Sequence, residues 1–325
     1  MKILFIIKDV EYIDPMGIML LSALAKKKGH TTDVCVLSDG AMMDKLGSFK
    51  PDLVAFSAKT WEHKYYIAAN SAIKQFDKSI VTIMGGPHAT FFPELIEKHP
   101  FDALCLGEGD DAWPEFLDAL EKKTSIDNIP NIVTKNNFHK GAPPEVRQKR
   151  ASLDDLPFLD RALFYNTTRL GRFPMRSFMV SRGCPYKCTY CFNHKYNMFY
   201  KGKGALGARM SVDRIIAELK DLKKNWPTQF IKFYDDIFIF KDDEWLDEFS
   251  EKYAKEIGLP FHCLMRANLL TESILLKLKK AGLASMSLSI ESGNDHVRND
   301  VLKRNMSKET MTTAFDLCAR HGVPT

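Results

Sequence analysis

Three of the seven cysteines in the chain crowd into RGCPYKCTYCFN, residues 182–193, as Cys184-x3-Cys188-x2-Cys191. Thiolates so spaced are metal ligands before they are packing groups. An odd cysteine total with three clustered fits metal binding better than a disulfide framework. A structural zinc site takes four protein ligands, and His194 could complete one. The x3-then-x2 spacing is unusual for a zinc knuckle. Thiolates also hold iron–sulfur clusters, usually four per cluster. Three thiolates on a cubane leave one iron open to bind another molecule, and this is the favoured reading.

The elements around the loop repeat a strand–helix pattern. MRSFMVS (175–181) leads into it as a strand, and SVDRIIAELKDLKKN (211–225) follows as a helix with a Ser cap. QFIKFYDD (229–236), PFHCLMRAN (260–268) and ASMSLSIESG (284–293) read as further strands. Helices 242–258, 271–282 and 307–322 separate or follow them, with Thr271 as a cap and Gly282 as a stop. VPT at 323–325 reads as the opening of one more strand. Polar residues gather at the strand C-termini, where a parallel β/α barrel builds its site. They are Asp235 and Asp236, Arg266, Ser289 and Glu291. The acid pair could equally cap the next helix. Lys303 and Arg304 read as an ordinary solvated loop.

The earlier half alternates in the same way. Strands at 2–7, 31–37, 52–58, 79–85 and 101–107 enclose helices at 15–30, 63–76 and 111–123. This predicts an open, mainly parallel sheet wrapped by helices. Gly85 and Gly86 follow a strand and allow the backbone close to a bulky flat ligand. Ser57 ends a neighbouring strand and could share their crevice, with His88 adjacent. Trp61, Tyr65 and Tyr66 could wall that pocket, although at helical spacing such residues usually belong to a core. GxGxxG is absent, which argues against a dinucleotide. The expected boundaries are an α/β domain at 1–124, a Pro-rich, charged surface linker at 125–174, and a partial barrel at 175–325. IPNIVTK within the linker could add a small strand.

Cys-x3-Cys-x-Tyr-Cys resembles the signature of the radical S-adenosylmethionine (SAM) enzymes. The doubly wound domain before it, with GGPHATFFPE (85–94) and LGEGDDAWPEFL (106–117), resembles the cobalamin-binding members of that family. The resemblance covers nearly the whole chain. It implies that Cys184, Cys188 and Cys191 hold a 4Fe–4S cluster whose open iron binds SAM, and that Tyr190 lies by the adenine. It implies that Asp235 and Asp236 meet the SAM amine, Arg266 its carboxylate, and Ser289 and Glu291 the ribose or methionine end; Lys303 and Arg304, in VLKRNMS, also resemble the family's loop after that strand. Ser57, Gly85, Gly86 and His88 would be the cobalamin contacts. Asp-x-His-x-x-Gly, which ligates cobalt in classical cobalamin domains, is not matched in KDVEYIDPMG (8–17), so the lower ligand is not a His from that loop; His88 and His63 are the nearest alternatives, and the bland reading of the domain is a flavodoxin-like fold with no cofactor. The family's partial barrel usually has six βα units. Four and the start of a fifth are present, so the chain is expected to be truncated or completed by a partner.

Hydrophobic residues are 45% and charged residues 27% of 325, with a net charge of +5 spread along the sequence. No long basic block suggests nucleic acid. No apolar run reaches the roughly 18 residues of a membrane span. The N-terminal run MKILFII has no small-residue cleavage site, so a cytoplasmic protein with reduced thiols is expected. The implied function is radical SAM methyl transfer to an unactivated carbon of a small molecule, with an electron donor such as flavodoxin or ferredoxin. The alternatives are an oxidative cyclase resembling the anaerobic Mg-protoporphyrin ester cyclases, or a non-catalytic cobalamin- and metal-binding module.

Overall fold

The computed structural model describes residues 1–139 and 145–325. Residues 140–144, the start of the Pro-rich stretch of the expected linker, lie outside the described residues. The chain divides into two compact units. The first comprises residues 1–149 and 156–171, the second 150–155 and 172–325.

The first unit runs β1 (Lys2–Ile7), α1 (Met16–Lys27), β2 (Thr31–Val36), α2 (Met42–Phe49), β3 (Leu53–Ser57), α3 (His63–Phe76) and β4 (Val81–Gly85). It continues through α4 (Gly86–Phe91), α5 (Leu95–Lys98), β5 (Ala103–Cys105), α6 (Ala112–Lys122), β6 (Ile132–Val133) and α7 (Ala162–Tyr165). The sheet order is β2-β1-β3-β4-β5-β6. Every pairing is parallel except β5 with β6. This is the flavodoxin-like doubly wound order. The strands are apolar runs because helices cover both faces of the sheet. Ile3, Leu4, Phe5 and Ile6 in β1 are all buried.

The expected linker takes up structure. Ile132 and Val133 add the antiparallel edge strand. Arg161, next to α7, forms an ion pair with Asp14 at 3.1 Å and hydrogen bonds to the Tyr165 hydroxyl at 2.8 Å. That hydroxyl donates to Asp14 at 2.8 Å. All three side chains are buried. A buried charge pair needs such added hydrogen bonds to offset its desolvation.

The second unit runs β7 (Met175–Phe178), β8 (Ser181–Arg182), α8 (Phe192–Phe199), β9 (Ala208–Arg209), α9 (Val212–Asn225), β10 (Phe230–Phe233), α10 (Glu244–Glu256), β11 (Phe261–Met265), α11 (Glu272–Ala281), β12 (Leu283–Leu288) and α12 (Lys308–Arg320). β7, β10, β11 and β12 form a parallel sheet in sequential order, and β8 pairs antiparallel with β9. Strand alternation sets its two faces. Phe233 and Phe261 turn inward and pack with Phe238, Phe249 and Tyr253 in an aromatic core. Lys232, His262 and Ser285 lie in register on the opposite face. Ser211, Asp243, Thr271 and Ser307 each accept a backbone N–H at a helix start, as their residue types predict. The 323–325 tail shows its first pairing contact, from Met286 N–H to the Pro324 carbonyl at 2.9 Å. No helix among the described residues is long and apolar enough to cross a membrane.

Truncating Arg161 leaves Asp14 buried without its cation. Arg161→Ala is expected to cost the first unit about 3–5 kcal/mol. Urea denaturation against wild type reads this directly, and an unchanged midpoint would mean that residues 156–171 do not support the sheet.

Candidate functional site

The second sheet hands the chain to the cysteine loop at residues 179–183. Asp235 lies two residues beyond β10 and keeps the inward parity of Ile231 and Phe233. Its side chain is fully buried. It accepts hydrogen bonds from Val180 N–H at 3.1 Å, Ser181 N–H at 2.6 Å and the Ser181 hydroxyl at 2.5 Å. Burial pushes its carboxyl up to about 7, against the opposing pull of these donors. Gly183 follows with φ of +90°, where a Cβ would collide with the Leu206 carbonyl. The chain then enters Cys184.

Cys184, Cys188 and Cys191 line one cavity of about 150 Å³. Tyr186, Tyr190, Asp236, Arg266, Ser287, Ser289 and Arg304 share its walls. Cys188 is buried, while the other two thiols are half-buried. Asn197 on α8 donates to the Cys184 carbonyl at 2.8 Å, and Cys191 is the residue before that helix. Thr189 is tied to a distant segment: its N–H reaches the Leu302 carbonyl at 3.2 Å and its hydroxyl the Val301 carbonyl at 2.8 Å. Burial raises the Cys184 thiol, and the neighbouring Asp236, Cys191 and Cys188 add to the rise. Holding thiolates together here calls for a cationic centre. Among the described residues, no three His, Cys, Asp or Glu groups converge closely enough to chelate a single ion. His194 does not line the cavity. A cubane binds each thiolate through a different iron, so three thiols around one cavity fit it as a donor set.

The sequence-predicted residues divide on this geometry. Asp236, Tyr190, Arg266 and Ser289 line the cavity with the cysteines. Asp235 does not. Its strand parity turns it into the protein, where it holds the turn before the loop, so the expected SAM contact is corrected to a support. Glu291 is exposed and lies beyond β12, with φ of +65°. A hydrogen bond links it to Tyr190 and helps burial raise that phenol.

Arg304 corrects the reading of a solvated loop. It is buried and donates to the Tyr190 hydroxyl at 3.1 Å and to the Ser289 carbonyl at 2.8 Å. Arg298, fully buried, donates to the Met306 carbonyl at 2.8 Å and the Ser292 carbonyl at 2.9 Å, folding the segment that carries Arg304. No local pattern in a charged loop separates these arginines from solvated ones. His262 belongs to no sequence motif. Its ring nitrogens lie 2.7 Å from the Ser285 hydroxyl and 2.9 Å from that of Ser287, which lines the cavity.

In the first unit, Ser57 and Gly85 are paired in register at the C-terminal ends of β3 and β4. Gly86 has φ of +89°, and a Cβ there would lie 2.8 Å from the Ala58 nitrogen. The approach of Ala58 therefore requires glycine here by itself. His88 is buried, stacked on His63 with ring centroids 4.0 Å apart and against Phe92 at 4.7 Å. Burial first, then the His63 charge, lowers it to about 4. His88 is thus packed behind this edge, with Nδ1 3.4 Å from the Thr60 hydroxyl. Tyr66 is core, whereas Trp61 and Tyr65 are 71% and 53% exposed. Tyr12 and Ile13, beyond β1, are exposed as well. Lys8 lies over the Tyr65 ring and Lys59 bonds Glu11 at 3.1 Å, bringing the loops after β1 and β3 together. An aromatic, solvent-facing strand edge suits a large flat macrocycle such as a corrin.

A thiolate-lined cavity at the C-terminal rim of a sequential parallel βα sheet, preceded by a flavodoxin-like unit, defines a two-domain protein built around bound cofactors. Residues 178–325 match the Radical SAM superfamily and residues 4–117 the B12 binding domain. The chain thus carries a B12 binding domain followed by a radical SAM domain. Its cofactors are accordingly a 4Fe–4S cluster, SAM and cobalamin. It is 25% identical over 293 residues to an uncharacterized methyltransferase of Pyrococcus horikoshii, covering 87% of this chain and 62% of that one. It is 28% identical over 298 residues to the hopanoid C-3 methylase of Methylococcus capsulatus, covering 86% and 54%. The cobalamin-dependent SAM radical enzyme OxsB, solved with aqua-cobalamin and SAM, shares the fold with a TM-score of 0.81 at 18% identity, over 99% of this chain and 48% of that one. The chain thus spans about half to just under two thirds of the length of these three proteins.

Two outcomes follow. Asp235→Asn replaces an acceptor with an amide that also presents donors to donors. It is expected to cost about 1–3 kcal/mol and to lower iron incorporation on reconstitution, read by thermal unfolding and iron analysis. For His88, the folded state favours the neutral ring, while the unfolded chain takes up a proton below its ordinary value of 6.5. Its contribution is complete above that pH and is lost as pH falls toward about 4, with His63 opposing protonation and Glu94 favouring it. Thermal unfolding between pH 7 and 4 should therefore fall more steeply in wild type than in His88→Gln.

Proposed function

We propose that the protein is a cobalamin-dependent radical SAM enzyme that transfers a methyl group to an unactivated carbon of a small molecule. The observation that carries this is the single cavity shared by Cys184, Cys188, Cys191, Asp236, Arg266 and Ser289. Methyltransferase names among the relatives favour methyl transfer over ring oxidation. When bound, the cluster supplies one electron for reductive cleavage of SAM, and cobalamin supplies the methyl group in transferable form.

The chain's own residues place and shield these groups. Cys184, Cys188 and Cys191 hold the cluster. Asp236, on the exposed parity after β10, accepts from the SAM amine. Ser289 offers its hydroxyl to the ribose or methionine end. Tyr190 presents its ring to the adenine, oriented by the Arg304 and Glu291 contacts at its hydroxyl. Asp235 fixes the loop that delivers the cysteines. In the first unit, Ser57, Gly85 and Gly86 form the strand-end crevice for cobalamin, with His88 packed as its support and Trp61 and Tyr65 as outer walls. The domain division proposed is a cobalamin domain through about residue 124 and a radical SAM core from 175, joined by the intervening stretch. The electron donor is of the flavodoxin or ferredoxin class, and the working compartment is the reducing cytoplasm.

Anaerobic reconstitution with iron, sulfide and hydroxocobalamin tests this. Wild type should retain iron, acid-labile sulfide and cobalt, and should form 5′-deoxyadenosine from SAM under reduction. Cys188→Ala should lose that product by at least two orders of magnitude. Bound zinc without sulfide would overturn the enzyme reading in favour of a binding module. Cluster without cobalt would leave the first unit as a scaffold.

A further inference from the structure

Arg266 is the first residue beyond β11 and is 4% exposed. Its guanidinium lies over the Tyr186 ring, 3.8 Å from the centroid. Nε donates to Asn268 Oδ1 at 2.7 Å, and one terminal nitrogen donates to the Arg304 carbonyl. The other donates to Cys188 Sγ at 3.6 Å. Three of the five N–H donors of a guanidinium are therefore committed within the protein. At most two are left to meet a carboxylate. Among the described hydrogen bonds, Cys188 is the one cysteine of the three whose sulfur accepts from a charged side chain. It is also the buried one.

We propose that Arg266 sets the reduction potential of the cluster held by Cys184, Cys188 and Cys191. This rests on the reading of those cysteines as cluster ligands. Reduction brings one electron from a flavodoxin- or ferredoxin-class donor and adds one negative charge, with no bond made or broken in the protein. A permanent cation bonded to a ligand sulfur stabilises the more negative state. The N–H···S bond also withdraws electron density from the thiolate. Both effects raise the potential. The interaction is strong because the guanidinium is withdrawn from water and stacked on Tyr186, where screening is weak. Tyr186, Asn268 and the Arg304 carbonyl hold the cation in place, so the tuning is built into the fold before SAM arrives. Arg266 acts through Cys188 and is a positioning residue.

The test compares reconstituted wild type, Arg266→Met and Arg266→Lys by EPR-monitored redox titration without SAM, with iron and sulfide measured on each sample. Arg266→Met should keep its cluster and titrate at a more negative potential. Arg266→Lys should recover part of the shift, which a merely structural role would not produce. Full cluster content with an unchanged potential in Arg266→Met would overturn the proposal. Should Arg266→Met lose its cluster, Tyr186→Leu decides: it leaves the cation but removes its platform. A smaller negative shift is then expected, and an unchanged potential overturns the proposal. Wild type without iron and sulfide would instead sink the reading of the cysteines.

Discussion

A carboxyl group with no exposed surface governs the second unit. Asp235 gathers Val180 N–H, Ser181 N–H and the Ser181 hydroxyl at the point where β7 ends. Left alone, those donors would be buried without acceptors. The carboxyl in turn would be intolerable there without them. Each cancels the other's desolvation, and the result is a fixed turn. Gly183 continues that turn through a conformation open to glycine, and the cysteines follow. Placement of the thiols thus traces back to one acid on the neighbouring strand.

The cavity walls obey a similar economy of polar groups. Arg266 and Arg304 are both buried cations. The carbonyl of Arg304 accepts from Arg266, while its own guanidinium reaches Tyr190 and the Ser289 carbonyl. Two charges are thereby held in one framework of neutral acceptors and a phenol. Their summed field suits thiolates and an anionic cluster. In the first unit the strand-end loops pair Lys59 with Glu11 and set Lys8 over the Tyr65 ring. Exposed aromatic rings at Tyr12, Trp61 and Tyr65 stand among these charges, as befits a ligand recognised in part by shape and apolar area.

The strands and capped helices were legible because their signals are local. Runs such as KILFII and caps such as Ser211 and Ser307 act within a few residues. Helix α2 escaped because MMDKLGSF is short and carries Gly47, and α4 because GGPHATF reads as a turn. α8 starts directly after Cys191 without a side-chain cap, so no local start signal marks it. The cavity was legible only in part. Alternation along 231, 233 and 235 would have sent Asp235 inward and left Asp236 at the site, had parity been followed past the strand end. Arg298 and Arg304 could not be found this way. Their burial depends on carbonyls that tertiary structure brings to them, and sequence pattern carries no record of that. His88 failed for the same reason: its stacking partner His63 comes from another helix.

The tie between Thr189 and Val301 joins positions 112 apart in sequence. During synthesis the cysteine loop emerges long before the segment that clamps it. At about 5–20 residues per second, the thiols wait several seconds or more in an unclamped loop. Closing so long a loop is also entropically slow. The cysteine loop is therefore made before the Val301–Arg304 segment that clamps it, and its final shape waits on that later segment.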